Sequence, residues 1–154
     1  MSEPGSIEIR AVGAPSVRGL RREVLRPGGG EEQLRYPGDD DAASLHLAAF
    51  AQERIVAVAS VMREGLPGEE RPGDWRIRGM ASVPAVRGHG IGAALLAGCV
   101  QHALDQRGTR IWCNARVGAR TLYERAGLRV RGERFELPGI GEHYLMAVDI
   151  GEAR

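Results

Sequence analysis

Lysine is absent from this chain of 154 residues, in which all 21 basic residues are arginine. Without a lysine, the protein cannot form a Schiff base with a carbonyl substrate, nor can it supply the lysine of a P-loop. Cysteine is scarce as well, since Cys99 and Cys113 are the only two. They stand apart, without the spacing of metal ligands, and isolated cysteines of this kind are typically reduced, buried and apolar in behaviour.

The chain also lacks a charge imbalance and a long apolar run. Its 21 basic and 20 acidic residues leave a formal net charge of +1, which argues against binding of nucleic acid or a membrane surface through bulk charge. No stretch is long enough to span a bilayer and no apolar signal region is present, so we expect a cytoplasmic protein. With 43% hydrophobic and 27% charged residues, the composition is typical of a folded globule, and we expect residues 1–154 to form a single domain.

Apolar patterns predict one sheet with helices packed on its faces. Strand–helix–strand crossovers indicate some parallel pairing and hairpins indicate antiparallel pairing, so the sheet should be mixed. The polar stretch of residues 31–43 should be a loop with one helical turn. We interpret its run Asp39, Asp40 and Asp41 as solvated, with cation binding as the alternative. The predicted strands are residues 7–12, 45–51, 54–62, 75–83, 109–114, 128–137 and 142–150, and the predicted helices are residues 14–25, 90–107 and 117–126.

Three glycines, Gly88, Gly90 and Gly92, lie between the predicted strand of residues 75–83 and the helix that follows. Their lack of side chains leaves backbone amides free to point at an anion, and the positive end of the helix dipole adds to the attraction. A strand, a glycine-rich turn and a helix are a common arrangement for holding a phosphate. A flexible loop beside an ordinary core helix is the alternative interpretation.

Three anion-binding motifs compete for this turn. A P-loop requires a lysine, which the chain lacks. A dinucleotide-binding turn requires G-x-G-x-x-G and an acidic residue at the end of the next strand, but that strand ends in Cys-Asn-Ala-Arg at residues 113–116. The third motif fits, because RGHGIG at residues 87–92 resembles the Q/R-x-x-G-x-G/A signature of the GNAT superfamily of N-acetyltransferases.

Flanking residues extend this resemblance over nearly the whole chain. MASVP at residues 80–84 is similar to the strand end and proline that precede the family signature. Ala119 with LYERAGL at residues 122–128 is similar to the family's A-x-x-L/F-Y-E-x-x-G-F segment, with leucine in place of the final phenylalanine. A narrower similarity, to the ElaA-type branch, rests on residues 20–25, residues 36–41, His46, and the E-x-F and G-I-x-x-H-x-x-M patterns within residues 133–146.

The resemblance implies a GNAT-like α+β fold with a central mixed, mostly antiparallel sheet of about seven strands, flanked by about four helices. It also implies acetyl-CoA as the cosubstrate and no metal. The backbone around the glycines would cradle the pyrophosphate, and the end of the preceding strand would bind the pantetheine arm and place one amide at the oxyanion. The residues implied are Met80, Ala81, Ser82, Val83, Arg87, Gly88, His89, Gly90, Ile91, Gly92 and Ala93.

Two further residues, Asn114 and Arg116, are predicted to contact the cofactor. Many relatives carry an asparagine at the position of Arg116, seven residues before Tyr123, whereas this chain has its asparagine two residues earlier. Arg116 could contact a CoA phosphate, an acidic acceptor or a surface ion-pair partner.

For catalysis, the resemblance implies direct acetyl transfer from the thioester to a neutral amine through a tetrahedral intermediate. Tyr123 matches the family tyrosine that acts as general acid toward the departing thiolate. A packed aromatic side chain on a helix face is the alternative for this residue. The base that takes the amine proton stays open among His46, His143, Glu133 and water.

We therefore predict an acetyl-CoA-dependent N-acetyltransferase that acts on a primary amine of a small molecule or peptide, with no nucleic-acid or membrane partner. A non-catalytic acyl-CoA-binding regulatory module would keep the glycine turn but need neither Tyr123 nor a base. A nucleotide-binding regulatory domain is the third hypothesis. The sequence leaves the acceptor and the oligomeric state open, and a homodimer is compatible with it.

Overall fold

Eight strands form one mixed sheet in the computed structural model, which describes residues 6–151. In chain order they are β1 (Ile7–Val12), β2 (Leu45–Ala51), β3 (Arg54–Arg63), β4 (Asp74–Ser82), β5 (Arg110–Arg116), β6 (Arg129–Val130), β7 (Phe135–Leu137) and β8 (Gly141–Asp149). Across the sheet the order is β1-β2-β3-β4-β5-β8-β6, and β7 also pairs with β8. Within this range β4 and β5 are parallel, and every other neighbouring pair is antiparallel. The predicted mixed, mostly antiparallel sheet is therefore confirmed.

The single strand predicted for residues 128–137 is wrong, and its division gives the sheet eight strands rather than seven. β6 and β7 both pair with β8, but residues 131–134 between them form no strand. Gly132 turns the chain there with a φ of +79°, a conformation that other residues rarely adopt. The residues of this turn are polar and exposed, so they have no apolar alternation with which to extend a strand.

Four α-helices accompany the sheet in residues 6–151: α1 (Ala14–Leu20), α2 (Glu31–Leu34), α3 (Ile91–Asp105) and α4 (Arg120–Arg125). α1 has Pro15 in its first turn and continues as a π-helical stretch, Arg21–Leu25. α4 follows a 3-10 turn, Val117–Ala119, so the predicted helix of residues 117–126 forms in two parts. No helix of the described range has the length and apolar character needed to cross a membrane.

The two faces of the sheet are covered by different helices. Consecutive residues of a strand point to opposite faces, so His46 and Leu47 of β2 distinguish the two. Leu47 faces α3, which packs so closely that a Cβ built on Gly98 would lie 2.7 Å from Leu47 Cδ1. α1 and the segment that follows it pack on the other face, where His46 lies.

β4 and β5 lie side by side over only three residues each. Their parallel pairing ends at Arg76 and Trp112. β4 nevertheless stays paired with β3 as far as Ser82, and β5 stays paired with β8 as far as Arg116. The two strands therefore part in their C-terminal halves and leave a gap within the sheet.

A bulge in β4 lies beside this gap. The register of β4 against β3 shifts there, because Gly79 and Met80 together face Ala59. Gly79 has a φ of +65°, and a Cβ on it would lie 2.9 Å from Arg21 Nε and 3.1 Å from Tyr36 Cε2. Both the backbone conformation and the crowding therefore favour glycine at this position.

A buried ion pair fastens the segment between α1 and β2 to the sheet. Arg21 is fully buried, and its guanidinium donates to both carboxylate oxygens of Asp39, at 2.7 and 3.0 Å. The same guanidinium donates to Leu34 O at 2.8 Å and to Ser60 Oγ at 3.0 Å. The interpretation of the acidic run as solvated is therefore wrong for Asp39, although the two aspartates after it are exposed.

The charge on Asp39 depends on this pairing. Burial alone raises the pKa of the Asp39 carboxyl, but the hydrogen bonds from Arg21 and from the Tyr36 amide, with the nearby positive charge, outweigh burial and hold that pKa below its usual range. A carboxyl whose pKa is lowered by folding stabilises the fold at pH values above its unfolded pKa. That contribution is lost as the pH falls through the folded pKa.

Asp39→Asn should lower the free energy of unfolding by about 3 kcal/mol at pH 7, because it leaves the charge of Arg21 buried without its counter-ion. Urea denaturation measures the change. Asp40→Asn is the matched control, since Asp40 is exposed and a surface change of this kind stays within about 0.5 kcal/mol. The difference in free energy of unfolding between wild type and Asp39→Asn should become smaller at acidic pH, because acid protonates Asp39 in the wild type. Equal stability of Asp39→Asn and Asp40→Asn at pH 7 would contradict a stabilising role for the Arg21–Asp39 ion pair.

Candidate active site

A cleft of about 340 Å³ opens where β4 and β5 part. Met80 of β4, Asn114 and Arg116 of β5, Tyr123 of α4 and His143 of β8 all line it. These five residues, singled out from the sequence, are brought to one cavity by the separation of two strands.

The glycine turn begins where β4 ends. A 3-10 turn, Pro84–Val86, leads into residues 87–90, and α3 starts at Ile91. Gly88 and Gly90 have φ values of +81° and +80°, and nothing lies within 4 Å of a Cβ built on either. Among the described residues, the amides of residues 88–93 have no hydrogen-bond acceptor. The turn is thus an open surface of free N–H groups at the positive end of a 15-residue helix, which suits a phosphate.

The two polar side chains of the turn fold back onto its own backbone. Arg87 donates from Nη2 to Ser82 O at 2.9 Å, which ties the turn to the end of β4. His89 donates from Nδ1 to the carbonyl oxygens of Arg87 at 3.0 Å and Val86 at 3.2 Å. These contacts fix the shape of the turn and give His89 a structural role within it.

The end of β4 presents backbone groups to the gap. Val83 donates its N–H to Val56 O at 2.9 Å, so the groups of Val83 face β3. Because backbone groups alternate along a strand, the N–H of Ser82 faces the opposite side, where β5 has already diverged. Met80 lies within the bulge, beside the gap.

Tyr123 is the aromatic side chain of the cleft. Its exposed fraction is 5%, and its hydroxyl has no hydrogen-bond partner among the described residues. Burial, reinforced by the nearby thiols of Cys113 and Cys99, raises the pKa of the Tyr123 phenol far above its usual range. The hydroxyl therefore stays protonated and acts as a hydrogen-bond donor.

Two of the candidate bases are poorly placed. His46 is buried, with Nδ1 2.6 Å from Ser60 Oγ and Nε2 2.9 Å from Asp39 O, so both ring nitrogens are engaged. A carbonyl only accepts, so Nε2 carries the proton and Nδ1 accepts from the serine hydroxyl. Glu133 is exposed in the turn between β6 and β7 and does not line the cleft.

His143 is the remaining histidine candidate, and it lies in the cleft. Its Nδ1 donates to Gly141 O at 2.8 Å, and its ring stacks on Phe135 with centroids 6.1 Å apart. Because the carbonyl fixes the proton on Nδ1, neutral His143 has its lone pair on Nε2, which has no partner among residues 6–151. No group of three or more His, Cys, Asp or Glu side chains in that range could hold a metal ion.

Arg116 crosses the cleft. Its Nη2 donates to Leu25 O at 2.9 Å, at the end of the π-helical stretch. The described residues offer it no ion pair, so the surface ion pair that the sequence left open does not form there. Asn114 lies on the same face of β5, two residues earlier, and is half-buried in the cleft wall.

Among the cleft residues that sequence reasoning missed are Arg76 and Arg78 of β4. They are two apart on a strand and so share a face, which is the signal that could have identified them. The guanidinium carbon of Arg78 lies 3.9 Å from the centroid of Tyr36, and that of Arg21 lies 3.8 Å from the same centroid. Tyr36 thus packs against two guanidinium groups at the cleft.

A family comparison decides the class of protein. Residues 30–149 match the family model described as an acetyltransferase (GNAT) domain. The chain belongs to the GNAT family of acetyltransferases. GNAT enzymes use acetyl-CoA, and the protein is therefore an acetyl-CoA-dependent acetyltransferase.

Individual relatives agree with this assignment. YitI of Bacillus subtilis (strain 168), described as an uncharacterized N-acetyltransferase, is 30% identical over 141 residues, covering 91% of this chain and 94% of YitI. The structure of Escherichia coli ElaA aligns with a TM-score of 0.75 and 17% identity over 92% of this chain and 99% of its own. The ribosomal-protein-S18-alanine N-acetyltransferase of Escherichia coli aligns with a TM-score of 0.73 and 16% identity over 97% of each chain. At such identities the two solved structures show the shared GNAT fold alone.

Gly90→Asp should weaken acetyl-CoA binding at least about tenfold. A carboxylate within about 4 Å of a phosphate costs on the order of 1–4 kcal/mol, and each 1.4 kcal/mol is tenfold in affinity. Isothermal titration calorimetry measures the affinity. Gly132→Asp is the matched control, because Gly132 has a φ of +79° and an equally open surrounding but lies in the turn after β6. Similar affinities for both variants would exclude the glycine turn as the phosphate site.

Proposed function

We propose that this GNAT enzyme, acting as a single domain, transfers the acetyl group of acetyl-CoA directly to a primary amine of a small molecule or peptide. One observation carries the proposal. The parted strands connect the turn of free amides to a cleft that holds a protonated phenol and a histidine with an unengaged nitrogen.

Binding of the donor is assigned to two stretches of backbone. The amides of residues 88–93 hold the diphosphate, assisted by the dipole of α3. The backbone of residues 80–82 holds the pantetheine arm along the gap, with Asn114 on the facing strand. Val83, which the sequence also implied, has its N–H bonded to Val56 O on β3 instead. Acetyl-CoA supplies an activated thioester. The open space around Gly88 and Gly90 fits a phosphate group, because no protein atom lies where one would approach.

Two side chains and one amide carry the chemistry. The neutral amine attacks the carbonyl carbon of the thioester, and His143 Nε2 accepts a proton from the amine nitrogen as the new C–N bond forms. The amide of Met80, which lines the cleft within the bulge of β4, donates to the carbonyl oxygen as negative charge develops there. Tyr123 donates its hydroxyl proton toward the sulfur as the C–S bond breaks.

The buried thiols support direct transfer over an acetyl-enzyme intermediate. Burial raises the pKa of the Cys113 thiol to about 12 and that of Cys99 to about 12. Both are therefore protonated near neutral pH, and a protonated thiol is a poor nucleophile. The chain has no lysine, so it offers no side-chain amine in their place.

Release of CoA thiol from acetyl-CoA, measured against a panel of primary amines, tests the function. Acceptor-dependent thiol release with formation of the N-acetyl product is expected. Saturable acetyl-CoA binding without turnover for any amine would support a non-catalytic acyl-CoA-binding module instead. A thermal shift that favours ATP or NAD over acetyl-CoA would support a nucleotide-binding domain.

Tyr123→Phe should lower kcat about 100-fold and leave the affinity for acetyl-CoA within about twofold, because it removes a proton donor and keeps the ring. Tyr144→Phe is the control, since Tyr144 lies beside Arg120 outside the cleft. Burial raises the pKa of Tyr123, so its protonated form persists as the pH rises. We therefore expect no loss of wild-type rate from its ionisation up to about pH 10, the ordinary tyrosine pKa. A kcat unchanged by Tyr123→Phe would remove this assignment.

His143→Gln should lower kcat/KM about 100-fold at neutral pH, because glutamine can still donate to Gly141 O but cannot accept the amine proton. His102→Gln is the control, since His102 lies on α3 away from the cleft, with its Nε2 2.7 Å from Ala43 O. A kcat/KM unchanged by His143→Gln would reassign the base to water.

A further inference from the structure

The cleft carries far more positive than negative charge, although the whole chain is almost neutral. Five arginines line it, and Glu32 is the one acidic residue in its described lining. The arginines are Arg26, Arg35, Arg76, Arg78 and Arg116. The net charge of the chain is only +1, but guanidinium groups outnumber carboxylates in the lining of the cleft.

Most of these guanidinium groups lack a close counter-ion. Arg76 pairs with Glu64 at 2.8 Å, and Arg35 lies 3.9 Å from Glu31. The other three have no carboxylate within ion-pair distance among residues 6–151. Arg78 contacts the ring of Tyr36, and Arg116 donates to a backbone carbonyl. The positive charge that faces the cleft is therefore available to a ligand.

Arg78 is held in place in a way that a mobile surface arginine is not. Its guanidinium carbon lies 3.9 Å from the centroid of Tyr36, and the buried Arg21 lies against the same ring. Burial, with the nearby charge of Arg76, lowers the pKa of Arg78 from its usual range, although Tyr36 and Glu64 act in the opposite direction. A half-buried guanidinium without an ion pair of its own is stabilised when an anion binds beside it.

We propose that the acceptor is an amine that also bears an anionic group, a carboxylate or a phosphate, which Arg78 and Arg116 bind while the amine reaches His143. The proposal rests on the proposed function and names the substrate class of the same site. Guanidinium forks bind both anions in a bidentate manner, and such contacts orient a ligand as well as attract it.

The diphosphate held by the glycine turn does not account for Arg78. Arg78 precedes the bulge of β4, and the glycine turn follows the end of that strand. Ser82 is four positions after Arg78, a distance of about 13 Å at 3.3 Å per residue. Arg78 is therefore separated along β4 from the turn that binds the diphosphate.

Matched amines test the proposal through thiol release. 4-Aminobutyrate is compared with 4-aminobutanamide, glutamate with glutamine, and phosphoethanolamine with ethanolamine, so each pair differs in the anionic group. The anionic member of at least one pair should have a kcat/KM at least tenfold higher, and the pair that responds distinguishes carboxylate from phosphate. Equal or lower values for the anionic members, with turnover of the neutral ones, would overturn the proposal and leave the acetyltransferase assignment intact.

Arg78→Met should bring the ratio of the two kcat/KM values in the responding pair toward one, while the KM for acetyl-CoA stays within twofold. Arg78→Lys should restore part of the ratio, because it returns the charge without the fork. Arg54→Met is the control, since Arg54 is exposed at the start of β3, and it should keep the wild-type ratio. A ratio unchanged by Arg78→Met would overturn the assignment of this residue.

If no amine stimulates release of CoA thiol, the proposed function is wrong, and the anion site is then tested by binding alone. Calorimetry measures the affinity of the CoA-saturated protein for both members of each pair. Tighter binding of the anionic member, weakened at least tenfold by Arg78→Met, would support an anion site in a non-catalytic protein. Equal binding of both members would overturn the proposal.

Discussion

Parallel strands normally share hydrogen bonds along their common length, yet β4 and β5 share them over three residues. Beyond that point each strand has unpaired backbone groups on the side that faces the gap. Such groups are costly to bury without partners, so the gap favours a ligand with its own amides and carbonyls. The pantetheine arm of CoA has both. The incomplete pairing of two strands therefore explains the position of the cleft and the extended form of ligand that suits it.

One buried arginine connects the stability of the fold to the wall of the cleft. Arg21 neutralises Asp39, contacts the ring of Tyr36, and lies 2.9 Å from where a Cβ at Gly79 would be. Tyr36 in turn contacts Arg78. The ion pair that holds the segment before β2 thus also fixes the side chain that we assign to the acceptor. A change at Gly79 would disturb the bulge and this packing together.

Local patterns predicted much of the fold and part of the candidate site. The glycines of the turn and Tyr123 belong to short motifs, and the structure places them at the start of α3 and in the cleft. Local sequence patterns could not distinguish His46 from His143 as the candidate base. The two ring nitrogens of His46 are engaged by Ser60 and Asp39, which are 14 and 7 residues away in sequence, and such contacts become visible only in the folded structure. The strand predicted for residues 128–137 failed because a left-handed glycine interrupts it. The arginine cluster was not predicted, since its members come from four separate segments.

The two buried cysteines have a consequence for the chemistry of the product. Every turnover of an acetyl-CoA-dependent transferase liberates a reactive sulfhydryl compound, whose oxidised forms exchange with protein thiolates. Cys99 and Cys113 are 0% and 1% exposed, and neither is ionised near neutrality. Burial and protonation of both thiols therefore disfavour the formation of mixed disulfides between this enzyme and oxidised CoA.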